Sequence, residues 1–379
     1  MNKFLHILIF IFCCNPCISQ QAENEKNIFI NYFDKMLNDT NDLSAPKFMT
    51  YPTLALSPET SWEIGLSSLY IYSANRDLNN RLSELKAFTF YTLNNQYGIW
   101  LDHALYSDKN DWFFLGKVRY QSFPLLYYGI GSGSDPDYLA RIDGNFTFFK
   151  ERILREIFPN LYTGLEIDYQ RLNNVSFEKS ATINKIEMPI GSTGSSNLGL
   201  GWGFVYNNIH NALNPRKGVF SEWAILNYNS QLGSEFNLTS SIIDNRAYIP
   251  IKDKNVLAMQ LYGQFTNGNA PFNLLSLMGG ESLMRGYYLG RFRDNHLIAG
   301  QIEYRLLPFS FSKRWGASFF MAAGEVFNSQ QKFKIQNLLP SAGAGLRFLL
   351  FPEKDIYSRI DWAFTQEGNG VYFFIGEAF

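Results

Sequence analysis

The sequence lacks any long hydrophobic run beyond its start. After residue 19, no stretch of 18 consecutive apolar residues occurs in the 379-residue chain. A membrane-spanning helix needs such a stretch, so the sequence predicts none. The net charge is also small, −1 in total, and this balance gives no electrostatic reason to expect nucleic acid as a partner.

Cysteine is scarce, and all three cysteines lie within the first 17 residues. The same region carries Lys3, then the largely apolar run 5–14, then small residues, an order that is typical of a secretory signal. We therefore expect residues 1–19 to be a signal peptide that is cleaved before Gln20. The remaining chain would hold no thiol, so packing and hydrogen bonds would have to stabilise it.

Aromatic residues, by contrast, are abundant: they make up 17% of the chain, with 34 Phe and 22 Tyr. From residue 48 onward, apolar residues alternate with polar or small ones, as in "NLYTGLEIDYQRL" at 160–172. Segments of about ten residues with this period are typical of transmembrane barrel strands. Only helices and closed barrels satisfy every backbone group in lipid, so the sequence favours a barrel, with a soluble β-sandwich as the alternative.

The alternation predicts an all-β fold, a 16-stranded antiparallel transmembrane β-barrel. With the N-terminus in the periplasm, connections after even-numbered strands are short turns, and those after odd-numbered strands are extracellular loops. The predicted connections follow this parity, and the longest, 269–293, is the sixth extracellular loop. The predicted strands are 48–57, 60–73, 81–95, 97–107, 112–122, 137–150, 158–170, 194–209, 218–230, 236–251, 254–268, 294–307, 314–325, 338–351, 355–367 and 370–379.

Residues 20–47 differ from the barrel that follows. In "NIFINYFDKMLND", apolar residues recur on one helical face, which favours a short amphipathic helix at 27–38. The segment is too short to form an independent domain. The expected organisation is therefore a signal peptide at 1–19, a short segment at 20–47 and a barrel at 48–379.

Residues that carry enzyme chemistry are few. No serine lies in a Gly–x–Ser–x–Gly motif, and the four histidines show no metal-site spacing. The sequence therefore predicts no metal, no cofactor and no enzymatic activity. An outer-membrane phospholipase, which needs serine and histidine on a barrel wall, stays as an alternative around His103.

The sixth loop contains "GGESLMRGYYLGRFRD" at 279–294. Here the chain resembles the barrel domain of the BamA/TamA outer-membrane assembly superfamily, also called bacterial surface antigens. In that family the loop folds back into the lumen and carries a hydrophobic–Arg–Gly–aromatic motif. The residues that carry the resemblance are Met284, Arg285, Gly286 and Tyr287, "YPTLALSPETSWEIG" (51–65), "NPRKGVF" (214–220), "GQIEYR" (300–305) and the terminal Phe379.

An arginine that enters a lumen needs a carboxylate, because an unpaired buried charge is costly. Glu303 shares a strand face with Gln301 and Arg305, so we expect it to pair with Arg285 and to anchor the loop. The family usually offers a second acid on the next strand. Ala322 stands at that place in "FMAAG", which leaves Glu303 as the only expected anchor.

The resemblance implies a protein of the Gram-negative outer membrane that assists insertion or export of another protein. Its partners would be outer-membrane lipids and a client, and a lateral seam between the first and last strands, the latter ending at Phe379, would template the client's strand. Family members that insert proteins carry periplasmic POTRA modules, for which residues 20–47 are too short. The alternative is therefore a stand-alone pore or a scaffold that anchors a periplasmic partner.

Overall fold

The computed structural model describes residues 44–57, 61–93, 95–122, 125–181, 186–252 and 254–379. The predicted signal peptide and the predicted helix at 27–38 lie outside the described residues. Within them, no helix is long and apolar enough to cross a membrane.

Nineteen strands and five single-turn 3₁₀ helices form the described chain. The strands are β1 (Lys47–Ser57), β2 (Ser61–Ser73), β3 (Leu82–Thr92), β4 (Tyr97–Tyr106), β5 (Trp112–Ser122), β6 (Leu125–Tyr127), β7 (Ala140–Phe158), β8 (Leu161–Lys179), β9 (Ser195–Asn207), β10 (Gly218–Tyr228), β11 (Leu238–Ile251), β12 (Asn255–Gly268), β13 (Ser276–Met278), β14 (Phe292–Asp294), β15 (His296–Leu306), β16 (Trp315–Phe327), β17 (Leu339–Phe351), β18 (Ile356–Thr365) and β19 (Gly368–Ile375). The 3₁₀ helices are Ala74–Arg76, Asp108–Asn110, Ser230–Leu232, Ile335–Asn337 and Pro352–Lys354.

The sixteen long strands, all except β6, β13 and β14, form one antiparallel meander. Each long strand pairs with the next, from β1 to β19. The first and last strands lie in contact. The prediction of an all-β, sixteen-stranded barrel is confirmed, and most strand ends agree with the sequence pattern within a few residues.

The two faces of the wall have opposite chemistry. Large apolar side chains such as Leu261, Met321 and Trp362 are exposed on the outer face, whereas charged side chains such as Glu166 and Arg347 are buried inside. This is the arrangement of a barrel with a lipid-facing exterior and a polar interior. The interior therefore provides the place where charged residues can pair.

The β7–β8 hairpin corrects one predicted turn. The segment "ERILREI" (151–157) was expected to connect two strands, but it continues β7, and the chain turns at 159–160. Arg152 faces the interior and pairs with Glu166 and Glu222. The charged residues of 151–157 therefore belong to a strand and do not indicate a turn. Both strands have 19 residues, longer than a membrane span requires.

Candidate functional site

The longest extracellular connection, 269–295, carries the arginine motif and contains the small hairpin β13–β14. Glycines allow the chain to turn sharply at its tip. Gly286 has φ 102°, and a Cβ there would lie 2.7 Å from Thr365 Cγ2 on the barrel wall. Only glycine fits this close approach without strain.

Arg285, at the tip of this loop, is held by carboxylates from two strands. Its Nη2 lies 2.6 Å from Glu303 Oε2 on β15, and its Nη1 lies 2.6 Å from Asp361 Oδ2 on β18. All three side chains are fully buried. The guanidinium also lies over the ring of Phe320, 3.5 Å from the centroid. Charge-assisted hydrogen bonds of this kind are the strong ones in a buried site.

The pair belongs to a larger ion cluster, which we call the lumen cluster. Arg347 Nη1 lies 2.6 Å from Asp361, and its Nη2 lies 3.3 Å from Glu303. Every side chain of the cluster is at most 3% exposed, and it contains four guanidinium groups and three carboxylates. Its members are Arg285, Glu303, Arg305, Arg347, Arg359, Asp361 and Glu377.

The backbone at the tip is fixed as firmly as the side chain. Gly286 N donates to Tyr372 Oη at 3.0 Å, and the carbonyl of Arg285 accepts from the hydroxyl of Ser341. Tyr287 Oη donates to the carbonyl of Pro340 at 3.0 Å. These contacts join the tip to β17 and β19, so the whole motif is attached to the C-terminal part of the barrel wall.

The remaining motif residues form an apolar layer beside the ions. Met284 and Tyr287 are at most 1% exposed and pack with Met278, Phe292 and Val326. Such packing excludes water from one side of the Arg285 pairs, which strengthens the electrostatic attraction there.

Comparison with known proteins agrees with this geometry. The model of the Omp85 superfamily domain matches residues 106–379. The chain belongs to the Omp85 superfamily. This confirms the resemblance seen in the sequence and implies a β-barrel of the Gram-negative outer membrane. No match was found among curated proteins.

Two solved structures show the same fold as this Omp85 barrel. The crystal structure of BamA from Haemophilus ducreyi lacking POTRA domains 1–3 has a TM-score of 0.53 at 16% identity, covering 88% of this chain and 69% of that chain. CdiB from Acinetobacter baumannii has a TM-score of 0.52 at 11% identity, covering 94% and 69%. At these identities the likeness concerns the fold alone.

Asp361 corrects the expectation that Glu303 anchors Arg285 alone. The second carboxylate comes from β18 and not from the position of Ala322 on β16. A signal was present in "IYSRIDWAFT", where Arg359 and Asp361 share one face and Ile360 and Trp362 occupy the other. Two charges on the inward face of a strand indicate lumen pairing.

Phe379 also differs from its expected place. The last strand ends at Ile375, and the tail 376–379 turns into the barrel, where Phe379 packs against Tyr248 and Val256 and is 5% exposed. The carbonyl of Phe379 accepts from Arg305 Nη2 at 3.0 Å. Phe379 is therefore not an edge residue of the seam, because Glu377 draws the tail towards Arg347.

The turn that matched the family's "NPRKGVF" stretch joins several periplasmic turns. Arg216 forms an ion pair of 2.7 Å with Asp355 and donates to the carbonyls of Lys254 and Leu307, each at 2.8 Å. Burial opposes its charge, but hydrogen bonds and attraction from Asp355 outweigh burial and raise the pKa of Arg216 above its ordinary value. One charged side chain thus links four turns of the Omp85 barrel.

The outer part of the long loop is tied to a second extracellular loop. Gly131 N donates to the carbonyl of Arg293 at 2.8 Å, and Leu126 N donates to Tyr288 Oη at 3.0 Å. Arg291 Nη1 donates to Ser134 Oγ of that loop at 2.8 Å, and Arg291 also forms an ion pair of 2.5 Å with Glu367 in the β18–β19 turn. The two loops therefore support each other above the lumen cluster.

Proposed function

We propose that this Omp85 barrel is not an enzyme and that it assists the insertion or export of another protein at the outer membrane. Superfamily membership supports the general class of insertion or secretion barrel. The finer role rests on the wall where β1 and β19 meet.

The observation that carries the proposal is the backbone pairing at the junction of β1 and β19, which differs from the pairing between the other neighbouring long strands. Each consecutive pair of long strands has a ladder of paired residues, for example β18 with β19 over eight pairs. β1 and β19 lie in contact, but among the described residues no paired register joins them. If such a junction opens, it exposes two strand edges, and an exposed edge can template a strand of another chain.

The lumen cluster supports the side of this junction that β19 forms. The contacts of the loop tip fall on β15, β17, β18 and β19, through Glu303, Ser341, Asp361 and Tyr372. These contacts hold the C-terminal strands in register. The β1 side is then the part that moves when the junction opens to receive a client strand.

A reducible disulfide that holds β1 and β19 together tests this proposal, and we call this variant the locked junction. Cysteine pairs are placed with one residue in 48–52 of β1 and one in 370–374 of β19, and pairs that form a disulfide are selected. The matched control joins the paired residues Thr89 and Ile99 of β3 and β4 as Thr89→Cys/Ile99→Cys.

We expect the locked junction, and not the control, to remove the activity, and a reductant to restore it. Activity is read as the abundance of folded outer-membrane and exported proteins in cells whose only copy is the variant. Full abundance with the locked junction would overturn the proposal.

The alternative, a barrel that anchors a periplasmic partner, is favoured by one observation. A cavity of about 300 Å³ lies among the periplasmic turns and is lined by Lys252, Lys254, Leu307 and Pro308 beside Arg216. Under this alternative, Lys252→Glu/Lys254→Glu removes a co-purifying partner, and locking the junction leaves the abundance of outer-membrane and exported proteins unchanged. Under the insertion function, the lock lowers that abundance and the double glutamate variant has no effect on co-purification.

A further inference from the structure

The wall formed by β4, β5 and β7 carries an ionisable pair whose role is not explained by the lumen cluster. His103 on β4 and Glu151 on β7 both lie opposite Gly116 of β5 in the strand register. His103 Nε2 lies 3.2 Å from each carboxylate oxygen of Glu151. The two side chains meet above Gly116, where any Cβ would collide with both of them.

This pair lies on the outer face of the barrel. The inward face of the same strands is marked by Tyr106, Phe113 and Leu154, which pack together in the interior. Residues of alternate position point the other way, and among them Leu101, Val118 and Ile153 are exposed apolar side chains. His103 and Glu151 alternate with the inward set, so they stand among these lipid-facing residues.

The depth of the pair follows from β5. The outward residues of this strand run from Trp112 to Tyr120, with Gly116 midway between the two aromatic rings. Tyr120 lies beside Tyr97 at the extracellular end, and Arg155 lies over Trp112 at the periplasmic end. Aromatic residues mark the edges of the apolar band, and each edge is four residues from Gly116, about 13 Å along the strand. The pair therefore lies near the middle of the membrane.

Ionisable groups at this depth are costly when they face lipid. His103 and Glu151 satisfy part of each other's hydrogen bonding, but their side chains remain 14% and 17% exposed. Within the described part of the chain, Glu151 is the only polar partner of the His103 ring. Hydrogen-bonding capacity is thus left over on both side chains at the lipid surface.

We propose that this wall is an interface with a second copy of the same chain in the plane of the membrane. A two-fold axis places the hydrogen-bond donor of one copy opposite the acceptor of the other, so a surface that carries both, such as His103 beside Glu151, can bind a second copy of itself. With the axis along the membrane normal near Gly116, His103 of each copy meets Glu151 of the other. The surrounding apolar side chains then pack across the axis, and the two pairs form one four-membered network that no longer faces lipid.

Cysteine crosslinking in native membranes tests this interface. Val118→Cys lies two residues from Gly116 on the same face, and Met321→Cys on β16 is the control, being an exposed outward residue of a distant wall. We expect an oxidant to convert Val118→Cys into a covalent dimer of the chain and to leave Met321→Cys monomeric. Mass spectrometry of the crosslinked band identifies the partner.

A second variant asks whether the polar pair causes the association. His103→Leu/Glu151→Leu keeps the wall apolar, and its heat-modifiable migration on gels shows that the barrel is folded. In this background we expect crosslinking at Val118→Cys to fall to the level of the Met321→Cys control. Equal crosslinking at both cysteines, a band containing a different protein, or undiminished crosslinking in the leucine variant would each overturn the proposal.

Discussion

At the level of single residues, the lumen cluster holds one more positive than negative charge, with four guanidinium groups and three carboxylates. Loss of Arg285 would balance these charges, whereas loss of Glu303 would increase the excess. Removing one partner from a buried ion pair costs about 3–5 kcal/mol when a charge is left without compensation. The acids are therefore the more sensitive members.

We predict that Glu303→Gln lowers the free energy of unfolding by more than Arg285→Ala does, although both destabilise the barrel. Urea titration in lipid vesicles, followed by heat-modifiable migration, measures the difference. The double variant should be no worse than Glu303→Gln alone, because also removing Arg285 returns the excess positive charge of the cluster to its original value. A larger loss from Arg285→Ala would contradict the charge argument.

Alanine substitutions at two glycines with similar φ angles distinguish the cost of backbone strain from the cost of a steric clash. Gly286 has φ 102° and Gly233 has φ 91°, but only at Gly286 would a Cβ meet neighbouring atoms within 4 Å. We predict that Gly233→Ala costs about 1–2 kcal/mol, the strain of a left-handed residue, in unfolding experiments. Gly286→Ala should cost clearly more, and equal effects would show that the approach to Thr365 does not matter.

The sequence predicts part of this site for a physical reason. Glu303 was identifiable because the alternation placed it inward and the loop supplied a cation. Asp361 and Glu377 were missed because the partner of a lumen charge comes from any strand across the cavity. Pairing at such separations depends on barrel shape, which local patterns do not record.

At the level of elements, the alternation of apolar and polar residues, together with turn-forming residues, predicts most strands. The β7–β8 hairpin is the main exception. The β7–β8 hairpin was predicted too short because charges at Arg152 and Glu156 looked like solvent-exposed turn residues. A polar lumen accepts such charges, so a strand can continue through them. The true turn is marked by Asn160, whose φ of 67° is tolerated by asparagine.

The periplasmic turns provide a second element-scale prediction. Arg216→Lys keeps the charge but cannot reach Asp355 and the carbonyls of Lys254 and Leu307 together, because lysine lacks the planar fork of arginine. We predict faster hydrogen exchange at residues 252 and 254 and in the turns 307–314 and 352–355. The exposed Arg76 of another turn serves as control, and Arg76→Lys should leave exchange unchanged.

At the level of the whole molecule, the strand count was predictable because barrel parity links loop lengths to strand number. The long connections 180–194, 269–295 and 328–338 all follow odd-numbered long strands, as the sequence indicated. The seam between β1 and β19 was expected only from the family resemblance. The inward tail could not be predicted, because it depends on contacts made across the closed sheet.

The contents of the lumen lead to a prediction about conductance. The loop tip and the lumen cluster are buried inside the barrel, so we expect purified wild-type protein to show small conductance in planar bilayers. Replacing residues 281–288 with two glycines should enlarge it, since the plug is removed while the strands remain. A wide and steady wild-type pore would instead support the stand-alone pore.

The central claim is that the arginine loop is folded into the barrel, and cysteine labelling tests it most directly. Met284 is fully buried beside Arg285, whereas Leu289 of the same loop is 41% exposed. With a membrane-impermeant maleimide on intact cells, Leu289→Cys should be labelled and Met284→Cys should be protected until the barrel is denatured. Equal labelling of the two cysteines in the folded protein would contradict the account.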